Sequence, residues 1–155
     1  MKLHSLLRED LVVVPLAGRS RDEVLREMVD RLRGCHSVDG EDVLAKLLER
    51  EGLGTTAIAG GVAVPHCKVA GLKAPVLALG VSRQGVAFQS IDGKSTHVIF
   101  LIVSPLEQPS VNLRLLASIA ALVRKSEALP VRLRNAATAG EALRVLHEEE
   151  DGHHA

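Results

Sequence analysis

The chain has 155 residues, with 19 Lys+Arg and 19 Asp+Glu, so its formal net charge at neutral pH is zero. This balance provides no overall basic field to attract nucleic acid or anionic lipid. With two Phe, no Tyr and no Trp, the sequence also offers no aromatic platforms for stacking single-stranded nucleic acid. The length fits one domain, whose core must be built from Leu, Val, Ile and Ala.

Membrane insertion is not expected. The longest strongly apolar run, residues 98–103, is too short to cross a bilayer, and the N-terminus shows no signal-peptide segment. We therefore expect a cytoplasmic protein whose two cysteines are reduced thiols. Residues 1–150 are expected to form a single domain, and residues 151–155 a flexible polar tail.

Two amphipathic helices are predicted in the first third of the chain. Ser20 and Glu23 form a capping box, and the apolar residues that follow share one helical stripe. A second helix is predicted from about Asp39 to Glu51, with Arg50 in its last turn. Its buried face is formed by Val43, Leu44, Leu47 and Leu48.

The middle of the chain reads as strands. A loop rich in Gly and Thr leads into a short strand, residues 62–64, which Pro65 is expected to end because proline has no amide hydrogen. Further strands are predicted at residues 76–81, in a short segment around Phe88, and at residues 96–103. The continuous apolar run of the last strand indicates burial on both faces of a sheet.

Helices return at the C-terminal end. A long helix is predicted after Pro109, followed by a short one at residues 130–137 and a capped one that starts at Thr138. The long helix is predicted to have an apolar stripe that consists of Leu113, Leu116, Ala117, Ala120 and Val123. Helices at both ends and strands between them predict an α/β three-layer sandwich, in which a mixed β-sheet is flanked by helices on both faces.

Among the seven histidines, His66 has a distinctive setting. It follows an apolar strand and a proline, and such a rigid support is typical of reactive side chains. The alternative is an ordinary surface histidine beside a turn. We expect His97, at the start of a buried strand, to be structural, whereas His4, His36 and His147 show no informative pattern.

The segment E-R-E-G-L-G-T-T-A-I-A-G-G-V-A-V-P-H, residues 49–66, resembles a known phosphorylation site. It is similar to the segment around the phosphorylated histidine in enzyme IIA of the bacterial phosphotransferase system, fructose/mannitol class, which includes the nitrogen-regulatory IIA proteins. Downstream, V-I-F-L-I-V-S-P and N-L-R-L-L-A-S-I-A resemble the strand and helix of that family. The resemblance extends over nearly the whole chain, in order and at matching spacing.

This resemblance implies a phosphotransferase of the phosphohistidine-relay type. The family accepts a phosphoryl group from an HPr-type phosphocarrier donor and passes it to a IIB domain, or uses it as a signal to regulatory target proteins. His66 matches the phosphorylated histidine, Arg50 matches the family's arginine, and Thr55 and Thr56 stand at its Ser-Thr positions. We expect no cofactor and no metal.

Several positions depart from the family pattern. Ala57 and Ala59 replace glycines, and Cys67 stands where small residues are usual. Asn112 stands where many members have a second active-site histidine. The alternative function is therefore a non-transport regulatory module that binds other proteins, with impaired or absent phosphotransfer.

The proposed chemistry fits these residue types. A neutral imidazole can accept a phosphoryl group, and a guanidinium offers fixed charge and a planar fork of donors to phosphate oxygens. Thr55, Thr56 and the loop amides are candidate phosphate donors, as is Asn112, which cannot take up charge. The alternatives are a solvated helix-end position for Arg50 and an ordinary turn at the two threonines.

Two other kinds of site are weighed against this one. The pairs Cys35–His36 and His66–Cys67 suggest zinc, but neighbouring residues in an extended chain point to opposite faces, and the spacing fits no common zinc motif. Cys67 beside a histidine suggests a cysteine nucleophile. We expect instead a buried, inert thiol.

Overall fold

Six α-helices and six β-strands make up the computed structural model, which describes residues 2–35 and 38–152. In chain order they are α1 (Leu3–Leu6), β1 (Val12–Val13), α2 (Arg21–Cys35), α3 (Gly40–Gly52), β2 (Ala57–Ile58), β3 (Val62–Ala63), β4 (His66–Val69), β5 (Val76–Val86), β6 (Thr96–Pro105), α4 (Pro109–Lys125), α5 (Ala128–Arg134) and α6 (Ala139–Asp151). The sequence patterns predict neither α1 nor β1.

Side-chain caps start three of the helices. The Glu23 N–H donates to Ser20 Oγ at 3.1 Å and the Ser20 N–H donates to Glu23 Oε1 at 3.2 Å, which confirms the predicted capping box of α2. Asp39 caps α3 and Thr138 caps α6 through their side-chain oxygens. These caps satisfy amides that the first turn of a helix leaves without partners.

The strands form one mixed sheet in the order β1-β5-β6-β3-β2, with β4 also paired to β6. The β5–β6 and β2–β3 pairs are antiparallel, whereas β1 runs parallel to β5, and both β3 and β4 run parallel to β6. β6 is therefore the central strand, against which the segment containing His66 is aligned.

Helices cover both faces of this sheet, which confirms the predicted three-layer architecture. Alternate side chains of β6 face opposite layers, and all of those named next are fully buried. Ile99, Leu101 and Val103 pack with the apolar faces of α2 and α3. Val98, Phe100 and Ile102 pack with those of α1, α4, α5 and α6.

The strand stops before Pro65, as predicted, but the chain does not leave the sheet there. β3 and β4 keep one register along β6, with Ala63 opposite Ile99 and His66 opposite Ile102. Although Pro65 has no amide hydrogen, its carbonyl accepts from the Ile102 N–H at 3.0 Å. The proline therefore interrupts the ladder for two residues only, and His66 begins the next strand instead of following a strand end.

The buried face of α4 also differs from the predicted stripe. Its buried apolar residues are Val111, Leu115, Ile119 and Leu122. Leu113 is 66% exposed, and Ala117 is exposed as well. Because apolar residues occupy more than one face of α4, helical periodicity permits more than one stripe, and packing against the sheet selects among them.

Smaller differences concern element boundaries. Val86 is the last residue of β5, so the segment around Phe88 forms no separate strand, and the Phe88 side chain is buried against α2 and α3. α5 begins at Ala128, before the predicted residues 130–137, and α6 continues through Asp151. In the described part of the chain, no helix combines the length and the apolar character that a membrane span requires.

Candidate functional site

Two pockets meet at His66 and Arg50. The first, of about 340 Å³, also contains Asn112 in its wall and is called here the Asn112 pocket. The second, of about 270 Å³, also contains Thr55 and Thr56 and is called the threonine pocket. The structure thus brings all five predicted site residues, which are spread over three segments of the chain, to one continuous surface depression.

His66 is half-buried, and its ring has a defined orientation. Nδ1 lies 2.8 Å from the carbonyl oxygen of Val64. Since a carbonyl oxygen only accepts, Nδ1 carries the hydrogen, and in the neutral imidazole the lone pair is then on Nε2. Nε2 is therefore the nucleophilic atom that this arrangement supports.

Arg50, in the last turn of α3, supplies positive charge to both pockets. Its Nη1 donates to the Gly54 carbonyl oxygen at 2.8 Å, which anchors the guanidinium to the loop after the helix. Arg50 forms no salt bridge with any residue that the structure describes, whereas Lys46 in the same wall pairs with Asp42 at 2.6 Å. The guanidinium therefore has further N–H donors available for an anion.

Thr55 and Thr56 line the threonine pocket, but their hydroxyl hydrogens are engaged within the protein. Thr55 Oγ1 donates to the Phe88 carbonyl oxygen and accepts from the Ala57 N–H. Thr56 Oγ1 donates to the carboxylate of Glu51. Because each hydroxyl carries one hydrogen, donation to a phosphate would require these bonds to break. The geometry supports a role in shaping the loop instead.

A chain of hydrogen bonds joins the buried carboxylate of Glu51 to His66. Glu51 is 4% exposed and accepts from both the N–H, at 3.2 Å, and the hydroxyl of Thr56. The Thr56 carbonyl accepts from the Val64 N–H at 3.0 Å, and the Val64 carbonyl in turn accepts from His66 Nδ1. Glu51 thus helps to hold the backbone that orients the His66 ring.

The sequence interpretation assigns no role to Glu51, although its position in the helix indicates that it is buried. It lies four residues after Leu47, on the buried face of α3. Glutamate is seldom fully buried unless it is paired, so a glutamate that continues an apolar stripe indicates a local polar contact. The identity of that contact, Thr56, depends on how the following loop folds back.

Asn112 is 4% exposed in the first turn of α4 and borders the Asn112 pocket. Its Oδ1 accepts from the hydroxyl of Ser104, a buried residue of β6, at 3.3 Å. The amide nitrogen makes no hydrogen bond to the part of the chain that the structure describes. Asn112 therefore offers two neutral N–H donors where many family members are expected to carry a second imidazole.

The cysteine alternative is not supported by the structure. Cys67 is 7% exposed and packs in the layer of α2 and α3. Burial raises the pKa of Cys67 to about 12; the nearby Lys46 opposes that rise and Asp42 adds to it. At neutral pH the thiol is therefore protonated, which disfavours both nucleophilic attack and zinc binding through the His66–Cys67 pair. The side chain of Cys35 and all of His36 lie outside the described residues.

Comparison with known proteins identifies the family. The family model "Phosphoenolpyruvate-dependent sugar phosphotransferase system, EIIA 2" matches residues 5–149. The chain belongs to this family. The EIIA assignment accounts for the mixed sheet with helices on both faces, and it confirms the resemblance that the residues around His66 indicate.

Individual relatives of this EIIA chain include nitrogen regulatory proteins. It is 28% identical over 153 residues to a nitrogen regulatory protein of Pseudomonas aeruginosa, covering 98% of this chain and 99% of that protein. The crystal structure of the nitrogen regulatory protein IIA-Ntr from Neisseria meningitidis superposes with a TM-score of 0.82 at 27% identity, covering 93% of this chain and 98% of that one.

The fold is also shared with mannitol enzyme IIA. Mannitol enzyme IIA of Escherichia coli, in its complex with phosphorylated mannitol enzyme IIB, superposes with a TM-score of 0.74 at 17% identity. The superposition covers 92% of this chain and 99% of that one. At this identity the comparison shows a common architecture.

Proposed function

We propose that this chain is a phosphocarrier that accepts a phosphoryl group on Nε2 of His66 from an HPr-type donor. It then passes the group to a IIB domain or holds it as a signal to a regulatory target. The observation that carries the proposal is that an oriented imidazole and the guanidinium of Arg50, which forms no salt bridge within the described part of the chain, line the same two pockets.

In the proposed transfer, the Nε2 lone pair attacks phosphorus while the bond from phosphorus to the donor breaks on the opposite side. Negative charge is spread over the three remaining phosphoryl oxygens in such a loose, in-line transition state. The role of Arg50 is to stabilise that charge with donors that are already positioned, and Asn112 adds neutral donors from the other wall. Nδ1 keeps its hydrogen and donates it to the Val64 carbonyl oxygen throughout, so that Nε2 remains the reacting atom.

In the proposed site, Thr55 and Thr56 stabilise the loop that lines the threonine pocket. Their hydroxyl bonds to Phe88 and Glu51 fix the wall of the threonine pocket. This leaves direct phosphate contacts to Arg50, Asn112 and any loop amides that face the incoming group. The partner that receives the phosphoryl group is proposed to be of the IIB type, as in the mannitol complex, or a regulatory target.

A regulatory binding module with weak or absent phosphotransfer is the second candidate. The similarity to a nitrogen regulatory protein over nearly the full length of both chains favours it, as does the neutral Asn112. In this case partners would recognise the surface around His66 without receiving a phosphoryl group from it.

Incubation of the purified protein with a phosphorylated HPr-type donor tests the first candidate. We expect one acid-labile phosphate per chain, and we expect ³¹P and ¹H–¹⁵N NMR to place it on a histidine Nε2. Attachment to Nδ1 would contradict the hydrogen-bond assignment at Val64. Absence of any labelling with an active donor would favour the second candidate.

Asn112→His is expected to make the transfer rate depend more strongly on pH. An imidazole at this position gains a positive charge as the pH falls through about 6.5, whereas the amide remains neutral. The added charge stabilises the transferring phosphoryl group, so the ratio of variant to wild-type rates should rise towards acidic pH. Quench-flow measurement of both proteins with the same donor, from about pH 5.5 to 8, gives this ratio directly.

Asn135→His is the matched control because Asn135 is exposed after α5 and lines neither pocket. Its rate ratio to the wild type should stay constant over the same range. A constant ratio for Asn112→His as well would show that position 112 takes no part in the transfer.

A further inference from the structure

Three metal-ligating side chains from opposite ends of the chain meet away from the His66 pockets. His4 lies in α1, and His147 and Asp151 lie one helical turn apart on α6. One ligand atom from each residue lies within 4.8 Å of the other two. The sequence shows no pattern at either histidine, because the residues are separated by more than 140 positions.

The contacts among these side chains resemble the edges of a coordination polyhedron. Nε2 of His4 lies 3.3 Å from Oδ1 of Asp151, and Nε2 of His147 lies 2.9 Å from Oδ2 of the same carboxylate. Zinc binds imidazole nitrogen and carboxylate oxygen at about 2.0–2.2 Å, so two ligands in a tetrahedral site are separated by roughly 3.3 Å. The two observed separations are close to that value.

The backbone of α1 is held where the site requires it. Glu150 accepts from the Leu3 N–H through Oε2 and from the His4 N–H through Oε1, the latter at 2.9 Å. These bonds hold His4 against α6. The His4 ring stacks on that of His147, with centroids 4.1 Å apart. The third ligand is therefore brought to the His147–Asp151 pair before any ion binds, which lowers the entropic cost of assembling the site.

We propose that His4 and His147, through Nε2, and the carboxylate of Asp151 form a zinc site that links the first and last helices. Three protein ligands and one water complete the tetrahedral coordination that zinc prefers. Since the stacked rings are parallel to within 3°, they must tilt for both lone pairs to converge on one ion. The His147 side chain is 54% exposed and has room to turn.

Lys2 provides a diagnostic feature of this site. Its Nζ lies 3.3 Å from Oδ1 of Asp151, on the carboxylate that the ion would use. The ammonium therefore competes with a cation for this oxygen. Replacing Lys2 by glutamine should strengthen zinc binding, whereas it can only weaken a cluster whose role is to hold the helices together by ion pairs.

The test uses the full-length protein with His153 and His154 replaced by glutamine, which removes the two other histidines near this end of the sequence. Calorimetric titration with ZnCl₂ should show one equivalent bound. At a hundredfold excess of zinc over Kd, the Tm should rise by roughly 5–10 °C. Paramagnetic Co²⁺ should broaden the ring signals of His4 and His147 in NMR spectra.

Variants in the same background identify the ligands. His4→Gln and His147→Gln should each weaken zinc binding by about tenfold or more, and Lys2→Gln should tighten it several-fold. His97→Gln, which removes a histidine elsewhere, should leave the Kd unchanged. Equal affinities in all four variants, or weaker binding in Lys2→Gln, would overturn the proposal. Phosphoryl transfer enters none of these measurements.

Discussion

His66→Ala is expected to abolish phosphoryl labelling by a phosphorylated HPr-type donor. The substitution removes Nε2, the atom on which the proposed transfer depends. The nearest thiol in sequence, Cys67, is buried, with its pKa raised to about 12. The fold should persist, because the substitution removes one hydrogen bond, to the Val64 carbonyl, and lowers the stability by about 1 kcal/mol. Autoradiography with a ³²P-labelled donor measures the result.

His97→Gln is the matched control for this experiment. Nδ1 of His97 lies 2.8 Å from the Ser82 carbonyl oxygen, which agrees with the predicted structural role, and His97 lines neither pocket. Its labelling should equal that of the wild type once circular dichroism shows both variants folded. If His66→Ala still incorporates one acid-labile phosphate, the assignment of His66 is refuted.

Arg50→Met is expected to slow phosphoryl transfer to His66 by roughly 100- to 1,000-fold. This corresponds to about 2.7–4 kcal/mol of lost transition-state stabilisation, as for removal of one preorganised donor in other enzymes. The physical reason is that the guanidinium lines both pockets and forms no salt bridge with any carboxylate that the structure describes. Methionine keeps the unbranched stem and removes the charge. Single-turnover labelling kinetics provide the rates.

Two further substitutions test whether the charge of Arg50 alone is sufficient and whether the effect is specific to this arginine. Arg50→Lys keeps the charge but loses the planar fork, so an intermediate rate is expected. Arg144→Met removes a solvent-exposed arginine from α6, outside both pockets, and should leave the rate unchanged. A wild-type rate in Arg50→Met would show that Arg50 is only a solvated helix-end residue.

Local signals predict much of this structure because they depend on near neighbours in the chain. The Ser20–Glu23 capping box and the buried stripes of α2 and α3 involve residues three or four positions apart. The continuous apolar run of β6 likewise predicts a strand buried on both faces, which the structure confirms. In α4, apolar residues occupy several faces, so periodicity alone does not identify the buried one.

Contacts between distant segments could not be predicted in the same way. The sequence predicts a strand that stops at Pro65, but pairing with β6 includes the Pro65 carbonyl and resumes at His66. The sequence gives no sign that the hydroxyls of Thr55 and Thr56 have partners. In the folded protein they donate hydrogen bonds to the Phe88 carbonyl and the Glu51 carboxylate. In each case the deciding partner comes from a segment whose position depends on the whole fold.

The sequence by itself determined the residue types available for phosphoryl chemistry and the family to which the chain belongs. Only the tertiary structure decided which ring nitrogen of His66 is free, that Arg50 lines both pockets without an ion pair among the described residues, and that His4 meets Asp151. The physical reason is that a side chain's chemical type is present in the unfolded chain. Its hydrogen-bond partners, burial and uncompensated charge arise only when remote segments pack together.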